Sequence, residues 1–127
     1  MFFTAGGKLV PESDQINGGD ALLASMQLLL KGPQTPDHFS EIPKTAQLLD
    51  VSLDNGTAVA DFDAPFYASG GSTGIQLRLA QVVFTLTQFP NISAVQFRQD
   101  GQAATATGGE GFPLNRPLTR GSFSQLI

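Results

Sequence analysis

Thr73-Gly74-Ile75-Gln76-Leu77-Arg78-Leu79-Ala80-Gln81-Val82-Val83-Phe84-Thr85-Leu86-Thr87-Gln88-Phe89-Pro90 is the stretch whose reading decides the fold. Ile75, Leu79, Val82, Val83, Leu86 and Phe89 recur at the spacing of one face of an α-helix. Thr73 followed by Gln76 fits a capping box, in which two backbone donors without helical partners are satisfied reciprocally. Composition pulls the other way, because Val82-Val83-Phe84-Thr85-Leu86-Thr87 is rich in the β-branched and aromatic residues that suit a strand. Order decides between the two. Strand signals stand on both sides of this stretch, and a helix is needed here to cover the sheet they form. Leu77 and Phe84, seven apart, add a second apolar stripe, so the helix is expected to be buried on more than one side.

The clearest strand signal precedes it. From Leu48 to Asp63 the chain reads as a hairpin around Asn55-Gly56, the preferred pair for a two-residue type I′ turn, in which both residues need positive φ. That turn sets a register of Leu53 with Ala58, Val51 with Ala60 and Leu49 with Phe62, giving an apolar face expected to be buried. The opposite, wetter face pairs Asp54 with Thr57, Ser52 with Val59 and Asp50 with Asp61. A slip of one residue would exchange the two faces, so the register is well specified.

Further out the signals are shorter. Phe2-Phe3-Thr4 and Lys8-Leu9-Val10-Pro11 read as two strands joined at Gly6-Gly7, the second an edge because proline cannot donate to a ladder. Asn17-Gly18-Gly19-Asp20 leads into a helix with Leu22, Leu23, Met26, Leu29 and Leu30 on one face, stopped by Gly32-Pro33. Gln34 to Pro43 reads as an irregular surface loop, and Ala64 to Ser72 as a loop with a Gly70-Gly71 hinge. Ala94-Val95-Gln96-Phe97-Arg98 alternates as a strand closed by Asp100-Gly101. Gln102 to Gly111 is Ala/Thr/Gly-rich and read as mobile, and residues 102–127 form a partly irregular tail in which Thr119 can cap a last short turn. The order β-β-α-β-β-α-β makes residues 1–127 one small α+β sandwich, with two helices packed on one face of a sheet.

Bulk properties narrow the function. A chain of 127 residues suffices for one domain with a modest core. Its 41% hydrophobic content excludes a disordered acidic tail. The net charge is −4 and the seven Lys and Arg residues are scattered, which argues against nucleic acid, since that ligand needs clustered cations. No apolar run approaches the ~20 residues of a membrane helix. With no cysteine, disulfides, thiolate zinc sites and cysteine nucleophiles are ruled out.

Candidate chemistry is sparse. Gly70-Gly71-Ser72-Thr73-Gly74 matches the G-x-S-x-G nucleophile elbow, but the lone histidine, His38, precedes Ser72, against the Ser-acid-His order of that hydrolase fold. The preferred reading of the motif is a loop and helix cap, and of His38 a loop residue. Asp50 and Asp61 face each other across the hairpin, an unfavourable pair that a bound cation or a basic partner would relieve, but the preferred reading is a solvated polar face. Phe66 and Tyr67 look exposed and are the aromatic candidates for partner contact. Phe66 has a second reading, as a satellite of the core. No catalytic, cofactor-binding or metal-ligating set converges.

Taken in order, these signals resemble the GerMN (sporulation and spore-germination) domain. The resemblance rests on Leu9-Val10-Pro11, Leu29-Leu30-Lys31-Gly32-Pro33, Ile42-Pro43-Lys44-Thr45, the hairpin Val51 to Phe62 with Phe66 after it, Leu79 to Pro90, Val95 with Asp100-Gly101, and Pro117-Leu118-Thr119-Arg120. It implies a fold similar to ring-building modules and no catalytic residues. It also implies an extracytoplasmic, lipoprotein-like context in the bacterial cell envelope, reached through an export signal or anchor trimmed from this stretch. The expected partners are envelope or sporulation proteins, with homo-oligomerisation open. A small-ligand or cell-wall glycan binder using Phe66, Tyr67 and the acidic hairpin face is the alternative, and a serine hydrolase using Ser72 a remote one.

Overall fold

The computed structural model describes residues 1–11, 21–67, 72–103, 106–107, 112–114 and 116–126. Strands β1 (Phe2–Ala5) and β2 (Lys8–Pro11) form an antiparallel ladder. Pro11 ends β2, which among the described residues pairs with β1 alone, while the other side of β1 meets the loop through a bridge between Thr4 and Phe39. Helix α1 (Ala21–Lys31) follows; the Asn17-Gly18-Gly19-Asp20 signal before it lies outside the described residues.

The main sheet contains β3 (Leu48–Asp54), β4 (Thr57–Phe62), β5 (Ala94–Gln99) and β6 (Gln102–Ala103), in the order β3-β4-β5-β6. The β3–β4 hairpin turns at Asn55 and Gly56, whose φ values of 49° and 84° are those of a type I′ turn. Strands β4 and β5 are parallel. A parallel pair requires a crossover, and the one-turn helix α2 (Ala64–Tyr67) and helix α3 (Ser72–Leu86) provide it.

Helix α3 is the centre of the molecule. Ile75 and every residue from Leu77 to Leu86 are buried, so an apolar stripe on each side finds a partner. It packs on α1, on β1 and β2, on β5 and on a 3-10 segment, Arg120–Leu126. Helices α1 and α3 lie together over the sheet face made by Ala58, Ala60, Phe62, Val95 and Phe97, all buried. The helix ends at Leu86, short of Pro90, and a turn carries the chain to β5. The strand-like composition of Val82-Val83-Phe84-Thr85 is overridden by burial on every side.

Three readings are corrected. Leu48, and not Leu49, stands opposite Phe62, because a bulge between Leu48 and Asp50 shifts the register at that end. The apolar face of β3 is also far less covered than that of β4. Leu49 is 48% exposed and Leu53 46%, whereas Ala58, Ala60 and Phe62 are fully buried. The physical reason is position, since β3 is the sheet's edge and α1 covers only part of it. Finally, Asp100-Gly101, with φ of 51° and 82°, makes a second tight hairpin, joining β5 to β6. Of the segment read as mobile, Gln102–Ala103 is therefore strand, and Ala106–Thr107 pairs with Phe112–Pro113.

Candidate functional site

Phe66, a sequence candidate for partner contact, lies wholly inside. Its ring stacks on Phe62 at 3.8 Å and 10° and sits 6.2 Å from Phe97, and its exposure is zero. Such aromatic pairs contribute roughly 0.5–1.5 kcal/mol beyond simple burial. The fold thus realises the core reading of Phe66 and withdraws it as a contact residue. Tyr67 is half-buried against Phe66, and its hydroxyl donates to the carbonyl of Arg98. Burial, reinforced by the Asp61 and Asp100 carboxylates, pushes the phenol well above its ordinary value near 10. This pair therefore cannot offer two open aromatic faces to a sugar.

Asp61 and Asp50 do face each other across β3 and β4, but their surroundings differ. Asp61 stands beside Arg98 in the parallel register, and its Oδ1 accepts from the Gly101 amide at 3.0 Å. It is committed to holding the second hairpin. Asp50 lies on the edge strand and is exposed. Ser72 opens α3, while Gly70 and Gly71 lie outside the described residues. His38 sits in a turn with its amide bonded to the Thr35 carbonyl.

The buried polar side chains are structural struts. Gln81, fully buried in α3, accepts from the Glu41 amide at 2.8 Å and donates to Ser40 Oγ at 3.1 Å and the Phe2 carbonyl at 3.3 Å. Arg78, 5% exposed, donates Nε to the Glu41 carbonyl and Nη1 to the Phe66 carbonyl, each at 2.8 Å. Burial draws its guanidinium below its ordinary value, and the nearby Glu41 carboxylate opposes that shift. Thr85 Oγ1 accepts from the Phe2 amide at 3.0 Å. Arg120 donates to the Phe84 carbonyl near the end of α3 and to Thr87 Oγ1, with its guanidinium over the Phe84 and Phe2 rings. A cation at a helix C-terminus is favourable. Together these side chains fasten β1, the 33–47 loop, α2 and the tail to one helix.

What the sequence did not show is a surface. Leu23, Phe39, Leu49 and Leu53 are large hydrophobic residues left exposed. Leu23 of α1 and Leu48, Leu49, Asp50 and Val51 of β3 line a groove of about 190 Å³ along the sheet edge. Its volume is comparable to that of an enclosed apolar cavity of ~150 Å³ that holds benzene, but this groove is half open and its surface is as polar as it is apolar. The one signal for it was Leu48-Leu49, two adjacent apolar residues in an alternating strand, of which one must break the alternation.

The fold has known relatives. A candidate lipoprotein from Clostridium perfringens superposes with a TM-score of 0.73 at 24% identity, over 83% of this chain and 70% of that one. The tandem GerMN domains of the sporulation protein GerM from Bacillus subtilis give 0.67 at 24% identity, over 89% of this chain and 40% of theirs. The first GerMN domain of that protein gives 0.65 at 23% identity, over 90% and 86%. No curated protein sequence is a significant match. The family described as Germane, sporulation and spore germination, matches residues 2–105 and stops before the Pro117–Arg120 tail. With the family's sequence pattern running from β1 through β6 and its fold reproduced around α3, the chain belongs to the Germane family of GerMN domains.

Proposed function

We propose that this domain is a non-enzymatic assembly module of the bacterial cell envelope that acts by binding another protein. The observation that carries the reading is that the exposed Leu23 and Leu49 line one groove, with Leu53 exposed further along the same strand as Leu49. Exposed apolar side chains gathered at a groove mark an interaction site. The family's link to sporulation and germination, and a structural relative that is a candidate lipoprotein, support an extracytoplasmic setting. The absence of catalysis is supported by the use of the buried polar groups. Arg78, Gln81 and Thr85 each bind backbone, and Asp50 is the one titratable residue among the five that line the groove.

The test is photo-crosslinking in the native envelope, with the probe placed in turn at Leu53, Phe39 and Tyr67. A discrete cross-linked protein, the same in replicate envelopes and lost when an unlabelled domain competes, is expected. Failure at all three positions overturns the reading. In parallel, a fluorophosphonate probe is expected to leave Ser72 unlabelled, and stoichiometric labelling there would make the protein a hydrolase.

A further inference from the structure

The two edges of the main sheet are finished differently. Along β5, Arg98 and Gln99 pair with β6, and Val95 exchanges backbone hydrogen bonds with Leu118 at 2.9 and 2.8 Å. Gln96 Nε2 also reaches the Leu114 carbonyl at 3.0 Å, tying the tail to that side. Along β3, seven residues long, no strand or bridge among the described residues occupies the outer side. Proteins blunt such edges with short strands, prolines, charged side chains or bulges. Here there is a bulge at one end and an exposed carboxylate at Asp50 and at Asp54, but the strand is long, has no proline and exposes two leucines.

Chemistry alternates along that edge. Val51 and Leu53 pair with the buried Ala60 and Ala58 and so stand on the side of the helices, and Val51 lines the groove together with Leu23, Leu49 and Asp50. Asp50 and Asp54 stand on the other side, both exposed. Asp61 one strand further in has Arg98 and the Gly101 amide for neighbours, whereas among the described residues neither Asp50 nor Asp54 is paired with a cation.

We propose that β3 is a docking edge for an extended segment of a partner protein, which adds a strand to the sheet. It would place apolar side chains beside Leu53 and the groove, and lysine or arginine opposite Asp50 and Asp54. Strand addition of this kind draws affinity from main-chain hydrogen bonds and specificity from alternate side chains. Opposite charges directly across a strand pair are favourable and like charges are not. A second copy of this chain is the wrong occupant. Self-pairing would gather Asp50 and Asp54 of both copies into one ribbon, between molecules that each carry −4. The proposal rests on the reading of the domain as a protein-binding module and specifies where and what it binds.

The experiment titrates the isotopically labelled domain with a short synthetic peptide of alternating valine and lysine, followed by amide NMR shifts. Two control peptides are used, one with the same residues in two blocks and one N-methylated at alternate positions. The expected result is shifts confined to residues 48–54, with binding at least tenfold weaker for both controls. Asp50→Lys/Asp54→Lys should reverse the preference toward a valine–glutamate peptide. Equal binding of the block peptide, shifts centred elsewhere, no shift with any peptide, or concentration-dependent dimerisation through residues 48–54 would each overturn it. Envelope cross-links from Phe39 without any from Leu53 would remove this edge while leaving the assembly reading intact; none from any probe would remove both.

Discussion

Helix α3 carries polar side chains inside the molecule, and strand β3 carries apolar ones outside it. Arg78, Gln81 and Thr85 are buried in the helix, while Leu49 and Leu53 are about half exposed on the strand. Neither placement follows the usual partition, and the reasons are opposite. Each buried polar group of α3 binds backbone in a segment distant in sequence, so removing it strands a buried carbonyl or amide. Leu48 of β3 packs against the core cluster, whereas Leu49 and Leu53 are not part of it. The first set belongs to the fold; the second is left at the surface, where the proposed partner would dock.

The largest expected effect lies in the helix. Val83→Asp puts an unpaired carboxylate among fully buried neighbours and should destabilise by more than about 4 kcal/mol, enough to abolish the cooperative melt. Arg78→Met keeps the aliphatic stem but leaves the Glu41 and Phe66 carbonyls without their charged donor. Hydrogen bonds to charged groups contribute about 1.5–3 kcal/mol each, and a loss of about 3 kcal/mol is expected in chemical denaturation. If Arg78→Met unfolds at the wild-type midpoint, the buried polar groups of α3 are not struts.

Tyr67 sits between these extremes, half-buried and bonded to the Arg98 carbonyl. Tyr67→Phe should cost about 1 kcal/mol, the net worth of a neutral hydrogen bond. Its pH signature is more telling. The folded state holds the phenol proton more tightly than the unfolded chain, because of burial first and of Asp61 and Asp100 second. The stability it contributes is therefore complete below the unfolded value near pH 10 and is lost as pH rises beyond it. Tyr67 is the only tyrosine and there is no tryptophan, so phenolate absorbance reports this group alone. Unfolding at high pH should coincide with the absorbance step, and Tyr67→Phe should flatten the alkaline fall in Tm.

Much of this was legible in the sequence. The period of Ile75 to Leu86 gave the central helix, and Asn55-Gly56 gave the hairpin and most of its register. The bulge was not legible, because it depends on how Leu48 and Leu49 share the space opposite Phe62. Phe66 looked exposed because it follows a proline in a polar stretch, yet α2 turns its ring onto Phe62. The edge position of β3 was hidden for a deeper reason. Alternation shows that a strand has an apolar face, but only the order of strands shows which face stays uncovered. Asp100-Gly101 marks the end of β5 in the sequence, but the return strand after it is not legible, because Gln102 and Ala103 show no hydrophobic alternation.

The contrast between α3 and β3 is tested most directly by urea unfolding of Leu49→Lys/Leu53→Lys beside wild type. Lysine stems can lie along the half-exposed apolar margin with their ammonium groups in water. The expected change is within about 0.5 kcal/mol per site with an unchanged m-value, as for ordinary surface substitutions. A markedly lowered midpoint would contradict the account, because it would show that these leucines hold the fold together and are not kept for a partner.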